Sequence, residues 1–271
     1  MPELPEVEIS VRGIRPYLQD KRVSTVIIRQ AKLRWPIPTT LAKNLVGQRI
    51  NKIERRAKYL LFYCETGTLI MHLGMSGSLR ILKATSPPEK HDHVDIVVDS
   101  GYCLRYRDPR RFGAILWTNA PVLDHPLLSK LGPEPLSRGF SGEYLKLKSL
   151  HRRVAVKVFI MNAAIVVGVG NIYASEALFA ARIHPSTAAG RISLQRYNRL
   201  VDNIKLVLRK SISAGGTSLR DFSQSDGQPG YFKQALQVYG LAGHDCPRCN
   251  APIKSLVLGQ RTTYYCGRCQ R

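Results

Sequence analysis

The chain begins Met1-Pro2-Glu3-Leu4-Pro5-Glu6, and these residues hold a set that can do covalent chemistry. A small second residue permits removal of the initiator methionine, which would leave Pro2 as a free secondary amine. An α-amino group titrates near about 7.7–8.0, so a neutral fraction exists at physiological pH without further tuning. A neutral amine attacks a carbonyl-type carbon to give a Schiff base, and Glu3 beside it can donate or accept the accompanying proton. The same residues also suit the start of a helix, with Pro2 and Pro5 stiffening it and the acids at its positive end. On these residues alone the helix-start reading leads; the rest of the chain reverses that order.

The strongest spacing signal lies at the other terminus. Cys246-Pro247-Arg248-Cys249 and Cys266-Gly267-Arg268-Cys269 are two C-x2-C pairs separated by 16 residues. Four thiolates at this spacing match one structural zinc ion of the ribbon type, with no open coordination position. Such a metal holds structure and does no chemistry. Between the pairs, Ile253–Val257 and Thr262–Tyr265 predict a hairpin whose tip, Leu258-Gly259-Gln260-Arg261, presents Arg261 outward. Cys64 and Cys103 fall in strand patterns and are expected as buried thiols.

Two further stretches are over-specified for connectors. His72-Leu73-Gly74-Met75-Ser76-Gly77-Ser78 has two glycines and a soft apolar residue, Met75, at its tip. The second stretch runs from Lys90-His91-Asp92-His93 to Asp108-Pro109-Arg110-Arg111-Phe112-Gly113, pairing a planar cation, Arg110, with an aromatic wedge, Phe112. Proteins that open a duplex insert apolar wedges between base steps and read exposed edges with Arg. Either residue could equally be core. The run Arg55-Arg56-Ala57-Lys58 is a solvated charge run or a phosphate-facing edge that holds Lys58 near the amine.

The elements that must position these groups can be read from periodicity. Val7, Val11, Ile14 and Leu18 predict a helix over Leu4–Leu18, with Glu3 and Glu6 in its first turn and Pro2 at its tip. Short strands are expected at Val23–Arg29, Ile50–Arg55, Tyr59–Tyr63, Thr68–His72, Leu79–Leu82, Val94–Val98, Leu104–Tyr106 and Ala114–Trp117, which suggests an antiparallel sandwich or barrel. Pro121–Ser141 is Pro- and Gly-rich and marks a boundary. Helices follow at Glu143–Leu150 and Val154–Met161, with Arg152, Arg153 and Lys157 expected on one basic face. Gly168-Val169-Gly170 then leads to a helix over Ile172–Ala181 with Asn171 as its N-cap, a turn that leaves N–H groups free to hold a phosphate. Leu194–Ile212 is amphipathic and stops at Gly215-Gly216. The polar stretch Thr217–Tyr239 reads as a functional loop.

Composition sets the class. The 271 residues are 44% hydrophobic, ordinary for a globular chain of two modest domains. Lys and Arg number 41 against 19 acids, giving a formal charge of +22. This charge is spread along the chain and points to an extended polyanion surface. No stretch is apolar enough to span a membrane and no signal peptide is visible, so a cytosolic protein is expected.

Taken together, these pieces resemble the bacterial formamidopyrimidine-DNA glycosylases. The resemblance runs essentially end to end, through Pro2–Glu8, Leu73–Ser78, Lys90–His93, Asp108–Gly113, Gly168–Glu176, Gly215–Phe222, Gln237–Gly240 and the four cysteines. It implies an α+β protein: an N-terminal antiparallel β-sandwich packed by a helix (1–130), a helix–two-turns–helix DNA-binding domain with a lesion-capping loop (131–240), and a zinc-finger hairpin (241–271), with DNA held between. It implies a bacterial base-excision-repair enzyme, removing 8-oxoguanine and formamidopyrimidines from double-stranded DNA and then cleaving the strand by lyase chemistry.

The resemblance also implies roles for single residues. Pro2 is expected as the nucleophile, Glu3 as acid/base and Glu6 as a supporting carboxylate. Lys58 and Arg261 are expected to assist elimination or grip phosphates; His91, Arg110, Arg152 and Asn171 to contact DNA; Met75, Arg110 and Phe112 to fill the gap left by the flipped nucleotide. Cys246, Cys249, Cys266 and Cys269 would hold zinc. No organic cofactor is needed, and a monomer associated with the nucleoid is expected. One departure is visible, Asn162 where relatives carry an acid, followed by Ala163-Ala164. Two other readings compete: an endonuclease VIII-like enzyme for oxidised pyrimidines, and a non-catalytic lesion-binding zinc-finger protein, favoured if Met1 is retained and Pro2 is an amide.

Overall fold

In the computed structural model, residues 2–216 and 236–271 are described; Met1 and most of the loop expected over Thr217–Tyr239 lie outside them. The chain divides into two compact units: the described residues up to 129 together with 214–216, and residues 130–213 together with 236–271.

The first unit opens on α1 (Leu4–Leu18), whose Val7, Val11, Ile14 and Leu18 are buried as their spacing requires. Its strands are β1 (Val23–Ile28), β2 (Ile50–Arg56), β3 (Tyr59–Cys64), β4 (Thr68–His72), β5 (Ser78–Lys83), β6 (Asp92–Val98), β7 (Tyr102–Arg107) and β8 (Ala114–Thr118). A five-residue helix α2 (Leu41–Leu45), too short to announce itself by periodicity, buries Leu41 and Leu45 between β1 and β2 in the sequence. The strands form two four-stranded sheets, ordered β1-β6-β7-β5 and β2-β3-β4-β8, with antiparallel pairing throughout. The fold is therefore a sandwich rather than a barrel. One core joins α1 to the inner faces of both sheets, through residues such as Leu60, Phe62 and Met71 on one side and Val94, Ile96 and Leu104 on the other. The helix packs on β2 and β3 of one sheet and on β5 and β7 of the other.

The first over-specified stretch is a crossover between the sheets, linking β4 to β5. The second is not one loop: Lys90–His93 leads into β6, and only its Asp108–Gly113 end crosses over, from β7 to β8. Because β4 pairs with β8, His72 opposite Ala114, and β5 pairs with β7, Ser78 opposite Arg107, the two crossovers leave the sandwich at the same end.

The second unit contains α3 (Gly142–Ser149), α4 (Val156–Met161), α5 (Asn171–Ala180), α6 (Leu194–Ser213) and a hairpin of β9 (Lys254–Leu258) and β10 (Arg261–Tyr265). Helix α5 is buried along nearly its whole length and packs on α4, α6 and β10. Ser141 caps α3, its hydroxyl accepting from Tyr144 N–H at 3.2 Å. The hairpin turn is shorter than its expected four-residue tip: Gly259 and Gln260 alone form it, with φ of +53° and +60°. That double left-handed geometry matches the right-handed twist of a tight hairpin, and Gly259 adopts it without steric cost. Among the described residues, no helix is long and apolar enough to cross a membrane.

Candidate active site and metal centre

The start of α1 is built around two carboxylates. Glu3 is the N-cap, and a capping box closes it: the Glu3 side chain accepts from the Glu6 N–H while Glu6 Oε2 accepts from the Glu3 N–H at 2.8 Å. Pro2, Glu3 and Glu6 are all buried, Glu3 and Glu6 at 2% exposure. Glu6 thus holds the backbone on which the Glu3 carboxylate is presented beside Pro2. Further along the helix, Glu8 receives Arg12 at 2.9 Å and Arg55 at 3.0 Å. Burial alone would raise its pKa, but hydrogen bonds from Arg12 and Arg55 outweigh it and hold it below the usual carboxylate range. Arg55 also donates to Ala57 O at 2.9 Å, which anchors the Ala57-Lys58 turn to α1. Arg55 is therefore not part of a solvated charge run. Lys58 is half-buried in that turn.

The crossover loops converge on Asp108, which is fully buried. Its carboxylate accepts from Ser76 Oγ at 2.6 Å, Gly113 N at 2.9 Å, Tyr106 Oη at 3.0 Å and Arg110 N at 3.3 Å. Burial and the neighbouring Asp108 charge push the Tyr106 phenol well above its usual range, so it remains a donor. His91 is in the left-handed region at φ +77°, and its carbonyl accepts from Asp108 N at 3.1 Å. Gly74, at φ +63°, lies so close to Phe112 that an added Cβ would meet the Phe112 backbone at 2.4 Å. Met75, Arg110, Phe112 and His91 are thereby carried on one laced assembly. Phe112 is 45% exposed, with the Arg110 guanidinium 4.9 Å from its ring centre, so it is no core residue. Met75 is half-buried.

His72, at the end of β4, joins this assembly. Its Nδ1 accepts from Gly74 N at 3.0 Å, and its ring lies 4.8 Å from that of Tyr59. Burial, then the Lys58 and Arg34 charges, depress its pKa to about 4. The neutral ring needed for the Gly74 bond is thus the form the site favours, and the Lys58 charge is felt there.

In the second unit, Arg152, Asn162 and Arg261 line one cavity of about 410 Å³ with apolar residues of α4 and β9. Arg261 is exposed at the start of β10 as expected. Asn162 is the C-cap of α4, its Oδ1 accepting from Ala164 N at 2.9 Å. Two expectations are corrected. Asn171 is the first residue of α5 and not its cap, which is Gly170. Its side chain instead reaches sideways, donating to Thr262 O at 3.0 Å and accepting from Lys157 Nζ. Lys157 in turn is fully buried and does not share a basic face with Arg152 and Arg153. It also donates to Thr263 Oγ1 at 2.7 Å, so one buried cation ties α4, α5 and β10 together.

Sequence reasoning also missed Glu176, on α5. Its carboxylate accepts from the consecutive N–H groups of Gln237, Val238 and Tyr239 at 2.8–3.0 Å. Glu176 has no local sequence signal, because these three partners are more than sixty residues away.

The four C-terminal cysteines place their sulfurs within 4.8 Å of one another. The Cys246–Cys269 and Cys249–Cys266 sulfurs are 3.9 and 3.5 Å apart. A tetrahedral zinc with bonds of about 2.3 Å sets its sulfurs about 3.8 Å apart, whereas a disulfide needs about 2.05 Å. The donor set therefore fits zinc. The Ala251 N–H lowers the Cys249 thiol to about 7, while burial and the other sulfurs push Cys269 up to about 12. Four crowded thiols ionise together only against a cation. The cluster packs on Phe179 of α5 and on Val238. Cys64 and Cys103 are buried thiols raised by burial to about 12 and about 11.

Three family models match the chain in succession: the formamidopyrimidine-DNA glycosylase N-terminal domain over residues 1–115, its H2TH domain over 131–223, and the zinc finger found in FPG and IleRS over 243–271. Formamidopyrimidine-DNA glycosylases of Nitrosococcus oceani and Magnetococcus marinus are 57% and 59% identical, each over 100% of both chains. Among solved structures, the MutM (Fpg) protein of Thermus thermophilus aligns with a TM-score of 0.89 at 34% identity, covering 99% of this chain and 98% of that one. The Lactococcus lactis Fpg complexed with abasic-site DNA aligns at 0.92 and 33%, over 100% of both. By sequence over its full length and by fold, the chain belongs to the formamidopyrimidine-DNA glycosylase family.

Proposed function

We propose that this DNA glycosylase excises oxidised purines, 8-oxoguanine and formamidopyrimidines, from duplex DNA and then cleaves the strand as a lyase. The observation that carries the reading is the buried Glu3 carboxylate, held by its capping box next to Pro2 at the head of α1. With Met1 removed, the Pro2 amine attacks C1′ of the damaged nucleotide. The N-glycosidic bond breaks and the base leaves with a proton, with Glu3 as the acid/base partner. Opening of the sugar ring gives an iminium, which acidifies the 2′ hydrogens. Loss of a 2′ proton expels the 3′ phosphate, and a second elimination expels the 5′ phosphate.

A stacked base cannot undergo this attack, so the nucleotide must leave the helix and its place must be filled. The exposed Phe112 with Arg110 against its ring, and Met75 on the neighbouring crossover, supply the filler. Lys58, His91, Arg152, Asn171 and Arg261 contact phosphates around the lesion. Zinc on Cys246, Cys249, Cys266 and Cys269 holds the hairpin that carries Arg261, and four sulfur ligands leave it no reacting position. The DNA-bound Lactococcus lactis relatives, one with an abasic site and one with Fapy-dG, support double-stranded damaged DNA as the partner.

Borohydride trapping on a duplex with 8-oxoguanine opposite cytosine tests the reading. The expected result is a covalent adduct that maps to Pro2 and is abolished when the terminus is acetylated. Full cleavage by the acetylated protein would remove Pro2 as nucleophile.

A further inference from the structure

The C-terminal unit carries a second concentration of positive charge. Arg182, Arg248, Arg268 and Arg271, with Cys249 and Cys269, line a cavity of about 470 Å³. All four arginines are exposed, and no Asp or Glu side chain pairs with any of them among the described residues.

Its position separates it from the residues proposed to hold the lesion strand. Asn171 begins α5 and Arg182 follows its end, so about 15 Å of helix lies between them. Arg261 begins β10 and Cys266 follows its end, about 17 Å along the strand. On both elements the cavity and the lesion-facing residues occupy opposite ends.

The cavity is also braced. Arg248 lies over the Phe179 ring at 4.6 Å and donates to Phe179 O at 3.3 Å and Ala180 O at 3.5 Å. Buried Gln270 bridges Cys266 N and Ile183 O, each at 2.8 Å. Arg196 donates to Arg271 O, and Arg271 N donates to Arg182 O at 3.4 Å. The end of the chain is thereby stapled to the end of α5.

Charge compensation for the metal centre does not account for the cluster. A zinc ion on four thiolates carries a formal −2, and four guanidiniums against it leave +2. The lining offers guanidinium and sulfur but no aliphatic or aromatic side chain, which favours phosphate over an acidic peptide that would also need apolar seating. Planar guanidiniums take phosphate oxygens in pairs.

We propose that this cavity is a second nucleic-acid site, binding the phosphates of a DNA segment other than the one carrying the lesion. That it is second rests on the proposed function; that it binds a phosphate strand does not. A molecule holding two segments at once can pass between them without returning to bulk solution.

The test uses zinc-loaded full-length protein, saturated with a donor-labelled duplex containing an uncleavable abasic analogue, and titrated with an acceptor-labelled undamaged duplex. The wild-type protein is expected to give energy transfer that falls with salt. Arg182→Ser with Arg268→Ser is expected to weaken the second duplex at least tenfold and to lower the salt slope by roughly two. Zinc content, circular dichroism and lesion cleavage should stay unchanged. Absent transfer in the wild type, or equal transfer in the double variant, overturns the proposal. If the lesion duplex itself does not bind, the proposed function fails instead, and anisotropy of the undamaged duplex alone still reads the cavity through the same pair of proteins. Displacement of that duplex by decaglutamate at lower concentration than by tripolyphosphate would reassign the cavity to an acidic polypeptide and overturn the nucleic-acid assignment.

Discussion

At the scale of single residues, the two crossovers depend on two side chains that act as hydrogen-bond acceptors. His72 must be neutral to accept from Gly74 N, and burial with Lys58 and Arg34 depresses its pKa to about 4. A histidine whose folded pKa lies below its unfolded value near about 6.5 contributes stability above that value, and the contribution is lost as pH falls toward 4. Imidazole NMR is expected to show His72 neutral down to pH 5; a midpoint above 6 would contradict the assignment. Asp108 is the acceptor for four donors, three from the two loops and Tyr106 from β7. Asp108→Asn keeps the shape but turns one acceptor oxygen into a donor group, and the expected cost is roughly 3 kcal/mol. Trp35 and Trp117, the only tryptophans, both lie in this unit, so denaturation followed by their fluorescence reads the effect directly. An unchanged midpoint would show that the lacing does not hold the loops. The placing of a carboxylate beside Pro2 at a helix start was legible because it depends on adjacency in the chain. Asp108 was quoted within a block but its role was hidden, since Ser76 is 32 positions away.

Elements were more legible than the contacts between them. All eight strands of the first unit and the hairpin strands were expected within two residues at nearly every end, because alternation and turn chemistry are local. Sheet order was not, because β1 pairs with β6 across most of the unit. The basic face expected for α4 failed for the same reason: a lysine reads as solvated unless its buried partners, here Asn171 and Thr263, are known. The C-terminal hairpin shows the reverse case, in which spacing alone picked out the four cysteines that the fold brings together. Its strands are only five residues long and largely exposed, so its shape rests on the cysteine cluster and on Phe179 and Val238 beneath it. Cys249→Ser is expected to lose zinc and to weaken duplex binding at least tenfold, on the order of one lost anchoring contact and the disorder around it. Tryptophan fluorescence should not change, since both tryptophans belong to the other unit. Zinc-free protein that binds duplex as tightly as the wild type would remove the hairpin from the DNA contact.

For the whole molecule, the formal charge of +22 suits a search along any duplex, while in the proposed function the residues around Pro2 set what is done to it. Lys and Arg outnumber acids by more than two to one along the entire chain, and such an excess binds any duplex by releasing its counterions. The phosphate contacts proposed for Lys58, His91, Arg152, Asn171 and Arg261 do not depend on the base in the helix. Affinity for damaged and undamaged duplex should therefore fall with salt along nearly parallel lines, with slopes that differ by no more than about one. In the proposed function, the vertical gap between the lines is the part contributed by the flipped nucleotide and by Met75, Arg110 and Phe112 filling its place. Phe112→Ala removes a ring that is 45% exposed and carries the Arg110 guanidinium against it. It is expected to narrow the gap while leaving both slopes unchanged. Fluorescence anisotropy on matched duplexes from low to physiological salt measures gap and slope together. A gap that closes with rising salt would mean that discrimination is itself electrostatic, and the gap-filling assignment would then fail even if the enzyme still cut.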